Sequence, residues 1–339
     1  MKKTSLIVSL CVLCLLSLGR TASAQTFCVF DPLGTSGDFY SMFQDYQLAA
    51  KRWGLKIDLK VYPNDEQLDA DFKSGACDMA SMIGHRARFY NQFSGGLDAP
   101  SVIENYAQER EALDVMASPA AARYMTEGEY EVVGAIPAGA AYPFVNNRAI
   151  NSFSHVAGKR AGVMSWDPTQ SLMAEHFNVT PVPMSLLDLG PAFNTGKVDF
   201  IIVPIALYKA LELNKGIGTT GGVIRRPLFF LTVQIVSHKS RFPANFGQQS
   251  REYMSSQVAH ALGIIHNQES GIDNRLWIYA TRANMEEWDG AMRSLLVKLT
   301  AKNYYDHHML AVLKRIRCKD DVNEPECAPT PEQRDAAAK

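Results

Sequence analysis

The chain has 339 residues, 47% of them hydrophobic and 20% charged, enough to build two domains of ordinary size. Its 34 basic and 35 acidic side chains leave a net charge of −1. That balance excludes the strongly basic face of a nucleic-acid binder.

The first expected element is an export signal over residues 1–24. Lys2 and Lys3 precede an apolar stretch over 6–18, and Ala22-Ser23-Ala24 is a small-x-small site of the kind signal peptidase cuts. The apolar stretch falls short of the ~20 residues that span a bilayer, so the reading is a cleaved signal, not an anchor. Cys11 and Cys14 lie too early to be lipid-modified at the start of a mature chain. Cleavage after Ala24 leaves 315 residues, removes Lys2, Lys3 and Arg20, and takes the net charge from −1 to −4. The expected location is the periplasm, without membrane insertion.

Residues 27–30 then read as an apolar strand that breaks at Asp31-Pro32. Phe39, Met42, Phe43, Tyr46 and Ala50 form a helical stripe ended by Gly54. The alternating LKIDLKVY over 55–62 predicts a second strand, and Pro63-Asn64-Asp65 turns the chain into a helix ending at Gly75. There the sequence FKSGACD fits F-x-[ST]-G-x-x-D and runs into the apolar stretch 79–83. A glycine after a helix supplies a left-handed cap before a buried strand.

The same order returns in 160–203. Residues 160–166 predict a strand that breaks at Asp167-Pro168, with Asp as cap and Pro in the first helical turn. A helix to about Phe177 and a short strand over 180–184 follow. FNTGKVD at 193–199 repeats the F-x-[ST]-G-x-x-D pattern before the apolar stretch 200–203. Each half reads β-loop-α-β-α-β, which implies a mostly parallel sheet flanked by helices.

Between the halves, 131–146 (EVVGAIPAGAAYPFVN) predicts a strand crossing from one lobe to the other, and LFFLTVQIV within 221–237 a strand that carries the chain back. Two crossings make a hinge. Met254, Val258, Leu262 and Ile265, and then Trp288, Met292, Leu295 and Leu299, stripe two later helices. The expected fold class is therefore α/β, a two-lobed fold with a hinge of two crossing strands. Lobe one is expected over 25–140 plus 238–339, its C-terminal helices included, and lobe two over 141–237.

Four cysteines follow the signal. Cys318 and Cys327 bracket a polar loop and suggest a local disulfide, which leaves Cys28 to pair with Cys77. The alternative is a zinc site, but no close Cys-x-x-Cys or His-x-x-His pair accompanies them. Asp306-His307-His308 resembles a metal group by letter only, because adjacent residues on a helix point ~100° apart. No metal and no cofactor is expected.

In open α/β sheets ligands lie beyond the carboxyl ends of the strands, where helix N-termini offer free N–H groups. That rule selects the loops 31–40, 84–88, 165–170 and 204–208. They supply Asp31, Thr35, Tyr40, Arg86, Ser165, Trp166, Asp167 and Pro204, and the crossing strand adds Tyr142, Phe144 and Asn146. Arg86 is the candidate charged anchor; the alternative is an ion pair with a nearby acid. Trp166 is read as a stacking surface or a partly buried lobe residue. Asp31 and Asp167 suit capping as well as ligand contact. No G-x-S-x-G, H-E-x-x-H or Walker pattern is present, so no catalytic residue is assigned.

These residues resemble the periplasmic solute-binding proteins, especially the extracytoplasmic subunits of TRAP-type transporters. The stretch from Val156-Ala157-Gly158-Lys159-Arg160 to Phe193–Asp199 matches that family's pattern. FCVFDPLG, FKSGACD and GHRARFYNQF are similar to a divergent AdeT-like branch. The resemblance implies a small organic solute, a carboxylate or an aromatic compound, held between the lobes and delivered to a membrane transporter by hinge motion of a monomer. It also implies an arginine to clamp a substrate carboxylate, but the matching position here is Gly162. The alternatives are an accessory or sensor-type protein that binds an efflux or transport partner, and an exported enzyme on the same scaffold.

Overall fold

The computed structural model describes residues 24–322 and 325–327; of the expected signal peptide over 1–24, residues 1–23 lie outside the described residues. No helix among the described residues is long and apolar enough to cross a membrane.

The first half supplies β1 (Gln25–Phe30), α1 (Asp38–Arg52), β2 (Ile57–Tyr62), α2 (Asp65–Lys73) and β3 (Met79–Ile83). After α3 (Tyr106–Ala117), the crossing strand β4 runs over Tyr130–Val145. The second half supplies β5 (Arg160–Met164), α4 (Pro168–His176), β6 (Thr180–Met184), α5 (Leu186–Asn194) and β7 (Phe200–Pro204). Then come β8 (Gly222–Ile224), the returning strand β9 (Phe229–His238), α6 (Phe246–Ser270), β10 (Trp277–Ile278), α7 (Arg282–Ala301) and α8 (His307–Asp320).

The strand order is β2-β1-β3-β9-β4-β7-β5-β6. Pairing is parallel within β2-β1-β3 and within β7-β5-β6. It is antiparallel where β9 meets β3 and β4, and where β4 meets β7. The first three strands of each half thus take the same order, which is the repeat expressed as topology. β4 pairs with β9 from Tyr130 to Ala141 and with β7 from Ala141 to Val145, so one continuous strand belongs to both lobes.

The two F-x-[ST]-G-x-x-D segments do the same work. Gly75 and Gly196 have φ of 80° and 72°, the left-handed conformation that favours glycine. The aspartates that close the motifs, Asp78 and Asp199, each accept a backbone N–H from the first strand of their lobe: Thr26 at 2.7 Å and Arg160 at 2.8 Å. Arg160 also binds the Asp199 carboxylate at 2.9 Å, so its guanidinium is occupied at the end of the sheet away from the cleft.

Both disulfides form. Cys28 on β1 bonds Cys77 just before β3, and Cys318 at the end of α8 bonds Cys327. The zinc alternative therefore does not hold for these four cysteines.

The C-terminal segment divides between the lobes. α6 packs along β4, and α8 packs on α3, where Gln108 donates to Asp320 at 3.0 Å. By contrast β10 pairs with β8, and α7 lies on the second half: the Trp288 ring sits 4.2 Å from Phe153, and Ser154 N–H donates to Glu287 at 3.1 Å. The sequence pattern places the whole segment on lobe one, and the structure differs for β10 and α7. The stripe Trp288, Met292, Leu295, Leu299 is buried as read, but amphipathic periodicity says which face is covered and not by what.

Candidate functional site: an apolar cavity between the lobes

Between the halves lies a cavity of about 190 Å³. Phe30, Phe39 and Met42 line it from lobe one, and Trp166, Pro204 and Leu207 from lobe two. Its floor is the crossing strand, through Ala141, Pro143 and Val145, and Ile264, Ile265 and Gln268 of α6 close one side.

Of the residues selected from sequence, Asp31, Trp166 and Pro204 line this cavity. Asp31 is buried, and its carboxylate is committed to its own loop: it accepts Leu33 N–H at 2.9 Å and Tyr40 N–H at 3.1 Å. Burial pushes the carboxyl up, opposed by those N–H groups. Thr35 is exposed in the short turn before α1, and Tyr40 is half-buried in its first turn; neither lines the cavity.

Tyr142, Phe144 and Asn146 are off the cavity wall. Phe144 is fully buried in the opposite core of lobe two, stacked on Tyr208, and Tyr142 packs on Trp277 and donates to Glu269 at 3.2 Å. Asn146 pairs with Asp199 and Thr220 at the strand end. The reason is parity. Side chains alternate along a strand, and the odd positions Ala141, Pro143 and Val145 take the cavity face. Leu231 pairs with Gly139 but Thr232 with Pro137, so Ala138 is an extra residue, a bulge at which Gly139 adopts φ 104°. The signal in sequence was Pro137-Ala138-Gly139, a Pro/Gly pair inside a strand.

The remaining candidates join the lobes instead of facing a solute. Arg86 is buried against two acids: Nε and Nη2 reach Asp65 at 3.1 and 2.5 Å, and Nη1 reaches Asp69 at 3.2 Å. Its guanidinium lies 3.9 Å from the Trp166 ring centroid, a cation–π contact between lobes. Two residues on, Arg88 donates to Asp167 at 2.9 Å. Asp167 also caps α4 through Thr169 N–H at 3.0 Å and accepts the Thr169 hydroxyl at 2.7 Å. Burial pushes its carboxyl up, but the charges of His85 and Arg88 and the Thr169 hydrogen bonds outweigh burial and hold it below the usual range. Exposed Ser165 donates to Glu66 at 2.9 Å. The loops 84–88 and 165–169, which follow the third strand of the first half and the first strand of the second, therefore meet as a polar latch beside the cavity.

Beneath the latch, buried Asp98 accepts Thr232 N–H at 3.0 Å and its hydroxyl at 2.6 Å; burial pushes its carboxyl up to about 7. Glu109 is 0% exposed with neither oxygen hydrogen-bonded; burial first, then the charges of Asp98 and Glu269, push it well up. At the start of α8, Asp306, His307 and His308 bring their ligand atoms within 4.8 Å of one another. On a regular helical wheel the two histidines point ~100° apart. Asp306, however, is the extended N-cap of α8, so the wheel does not apply to that turn.

The model of the solute-binding protein AdeT 1/2 family matches residues 47–332. The chain is 36% identical over 300 residues to the probable solute-binding protein AdeT1 of Acinetobacter baumannii, covering 88% of this chain and 99% of that one. It is 24% identical over 233 residues to AdeT2 of the same organism, covering 69% and 98%. Among solved structures it resembles a TRAP periplasmic solute-binding protein from Roseobacter denitrificans with bound β-D-glucuronate, at TM-score 0.70 and 15% identity, covering 86% and 99%. A TRAP periplasmic solute-binding protein from Haemophilus influenzae with bound L-gulonate matches at TM-score 0.69 and 14% identity, covering 87% and 98%. The two-lobed α/β fold is that of these TRAP proteins, and the chain belongs to the AdeT 1/2 family of solute-binding proteins.

Proposed function

We propose that this protein is a periplasmic solute receptor that closes its two lobes on a small organic molecule and presents it to a membrane transporter. The observation that carries the reading is the cavity itself: it lies where two symmetry-related sets of strand ends meet, and both halves of the repeat supply its walls. Open α/β sheets bind ligands at that position. The solved relatives hold glucuronate and gulonate, which supports a solute of that size class. Binding and closure require no bond to be made or broken, and the reading assigns no catalytic residue. Cleavage after Ala24 and a monomeric mature chain are part of the proposal. So is a division at the crossing strands, with lobe one over 25–140 and lobe two over 141–237. The contacts of β10 and α7 support adding 277–301 to lobe two.

The test is a metabolite screen by thermal shift on the purified mature protein, with native mass spectrometry for carried-over solute. A solute at 100 times its dissociation constant is expected to stabilise by about 2.7 kcal/mol. A protein whose melting no small molecule shifts, and which carries no solute from the cell, would not be a receptor.

A further inference from the structure

The chemistry of the cavity wall narrows the solute class. Among the described residues, the carboxylates that line it are Asp31, Asp38 and Asp65, no lysine or arginine does, and His85, which also lines it, is buried, which lowers its pKa and favours the neutral imidazole. Arg86, in contact with the lining residue Trp166, has all three guanidinium nitrogens committed to Asp65 and Asp69. The position that matches the family's clamping arginine, Gly162, is packed so closely that a side chain there would force Leu189 and Ile201 to move. A Cβ there would lie 2.7 Å from Leu189 Cδ2 and 2.9 Å from Ile201 Cγ2. An anionic ligand would thus lose its water, gain no cation and face carboxylates.

Two further features say what the wall does accept. Trp166 and Trp288 both line the cavity, and both indole N–H groups are buried without a hydrogen-bond partner. Buried donors without partners are rare in folded proteins, and an acceptor on a ligand would satisfy them. The volume of about 190 Å³ exceeds the ~150 Å³ of apolar cavities that take up benzene.

We infer, on the reading that the cavity is a solute site, that the solute is an uncharged and largely apolar compound, of about one or two rings, with a neutral oxygen acceptor. The carboxylates bound by the solved relatives are excluded from this wall. Apolar contact supplies the affinity, and the indole N–H groups orient the molecule.

Acetophenone and benzoate have nearly the same shape and differ in charge, so the pair isolates the inference. With the mature protein, titration calorimetry and thermal shift are expected to show saturable one-to-one binding of acetophenone and none of benzoate or glucuronate. Ile264→Glu places a charge on the wall from a half-buried position of α6 and is expected to weaken acetophenone at least tenfold. Trp166→Phe deletes one N–H while keeping an aromatic wall, and is expected to weaken it several-fold; it serves also if Ile264→Glu does not fold. Benzoate or glucuronate binding more tightly than acetophenone would overturn the solute class and leave the receptor reading standing. No binding of these three probes or of any screened metabolite would overturn both.

Discussion

The guanidinium of Arg88 and the carboxylate of Asp167 meet at 2.9 Å across the two lobes, with Arg88 3% and Asp167 1% exposed. Arg88 follows the third strand of the first half and Asp167 the first strand of the second, so the pair forms only when the lobes are together. Removing one partner of a buried ion pair typically costs about 3–5 kcal/mol, because the other charge is left uncompensated. Asp167→Asn is therefore expected to lower the melting temperature, weaken solute binding and expand the molecule in small-angle X-ray scattering. Arg88→Met with Asp167→Leu is expected to recover most of the stability. A double variant as unstable as the sum of the two single ones would show that the pair is not coupled.

Proton linkage pulls in two directions. The Asp167 carboxyl is held low, so its contribution is fully present above the ordinary carboxylate range and is lost as pH falls through its folded value. Asp98 and Glu109 are raised, so the folded state binds more protons than the unfolded one above that range, and stability falls as pH rises. For Asp98 the loss runs from the ordinary range up to about 7. Glu109→Gln keeps the shape and removes the titration. Its advantage over the parent in urea unfolding is expected to grow between about pH 5 and pH 8. A difference independent of pH would mean that Glu109 does not titrate with an abnormal value.

The Cys28–Cys77 bond spans a sequence separation of 49 within lobe one. By loop-closure entropy it is worth roughly 4 kcal/mol, against roughly 3 kcal/mol for the Cys318–Cys327 loop. Intact mass is expected to fall short of the reduced mature chain by four hydrogens. Replacing Cys28 and Cys77 together by alanine is expected to lower the unfolding free energy by more than replacing Cys318 and Cys327.

Gly37 lets the Asp31 carboxylate lie against the backbone before α1: a Cβ there would sit 1.9 Å from Asp31 Oδ1. Gly37→Ala is expected to expel the carboxylate and free the Leu33 and Tyr40 N–H groups, at a cost of about 1–3 kcal/mol. Because this loop lines the cavity mouth, affinity for a solute should fall with stability. Calorimetric melting and titration of the same variant check both; unchanged values would remove Asp31 from the loop's support.

The sequence by itself determined the units and their order. The doubled Asp-Pro and F-x-[ST]-G-x-x-D segments, the crossing strands and the pairing of the four cysteines are local patterns, and local patterns are set by turn chemistry and side-chain periodicity. It also named the loops that meet between the lobes, and the place where an expected arginine is missing. Which side chains face the cavity was decided by tertiary structure. An extra residue at Ala138 moved the wall of β4 onto Ala141, Pro143 and Val145. Ion pairing with Asp65 and Asp69 took Arg86, the candidate anchor, out of the cavity wall, and Arg88 pairs with Asp167 across the lobes. A bulge and a partner far along the chain have no local signature, because both are fixed by where distant segments pack. The two lobes could be read from one segment at a time; the wall between them exists only once both have folded against each other.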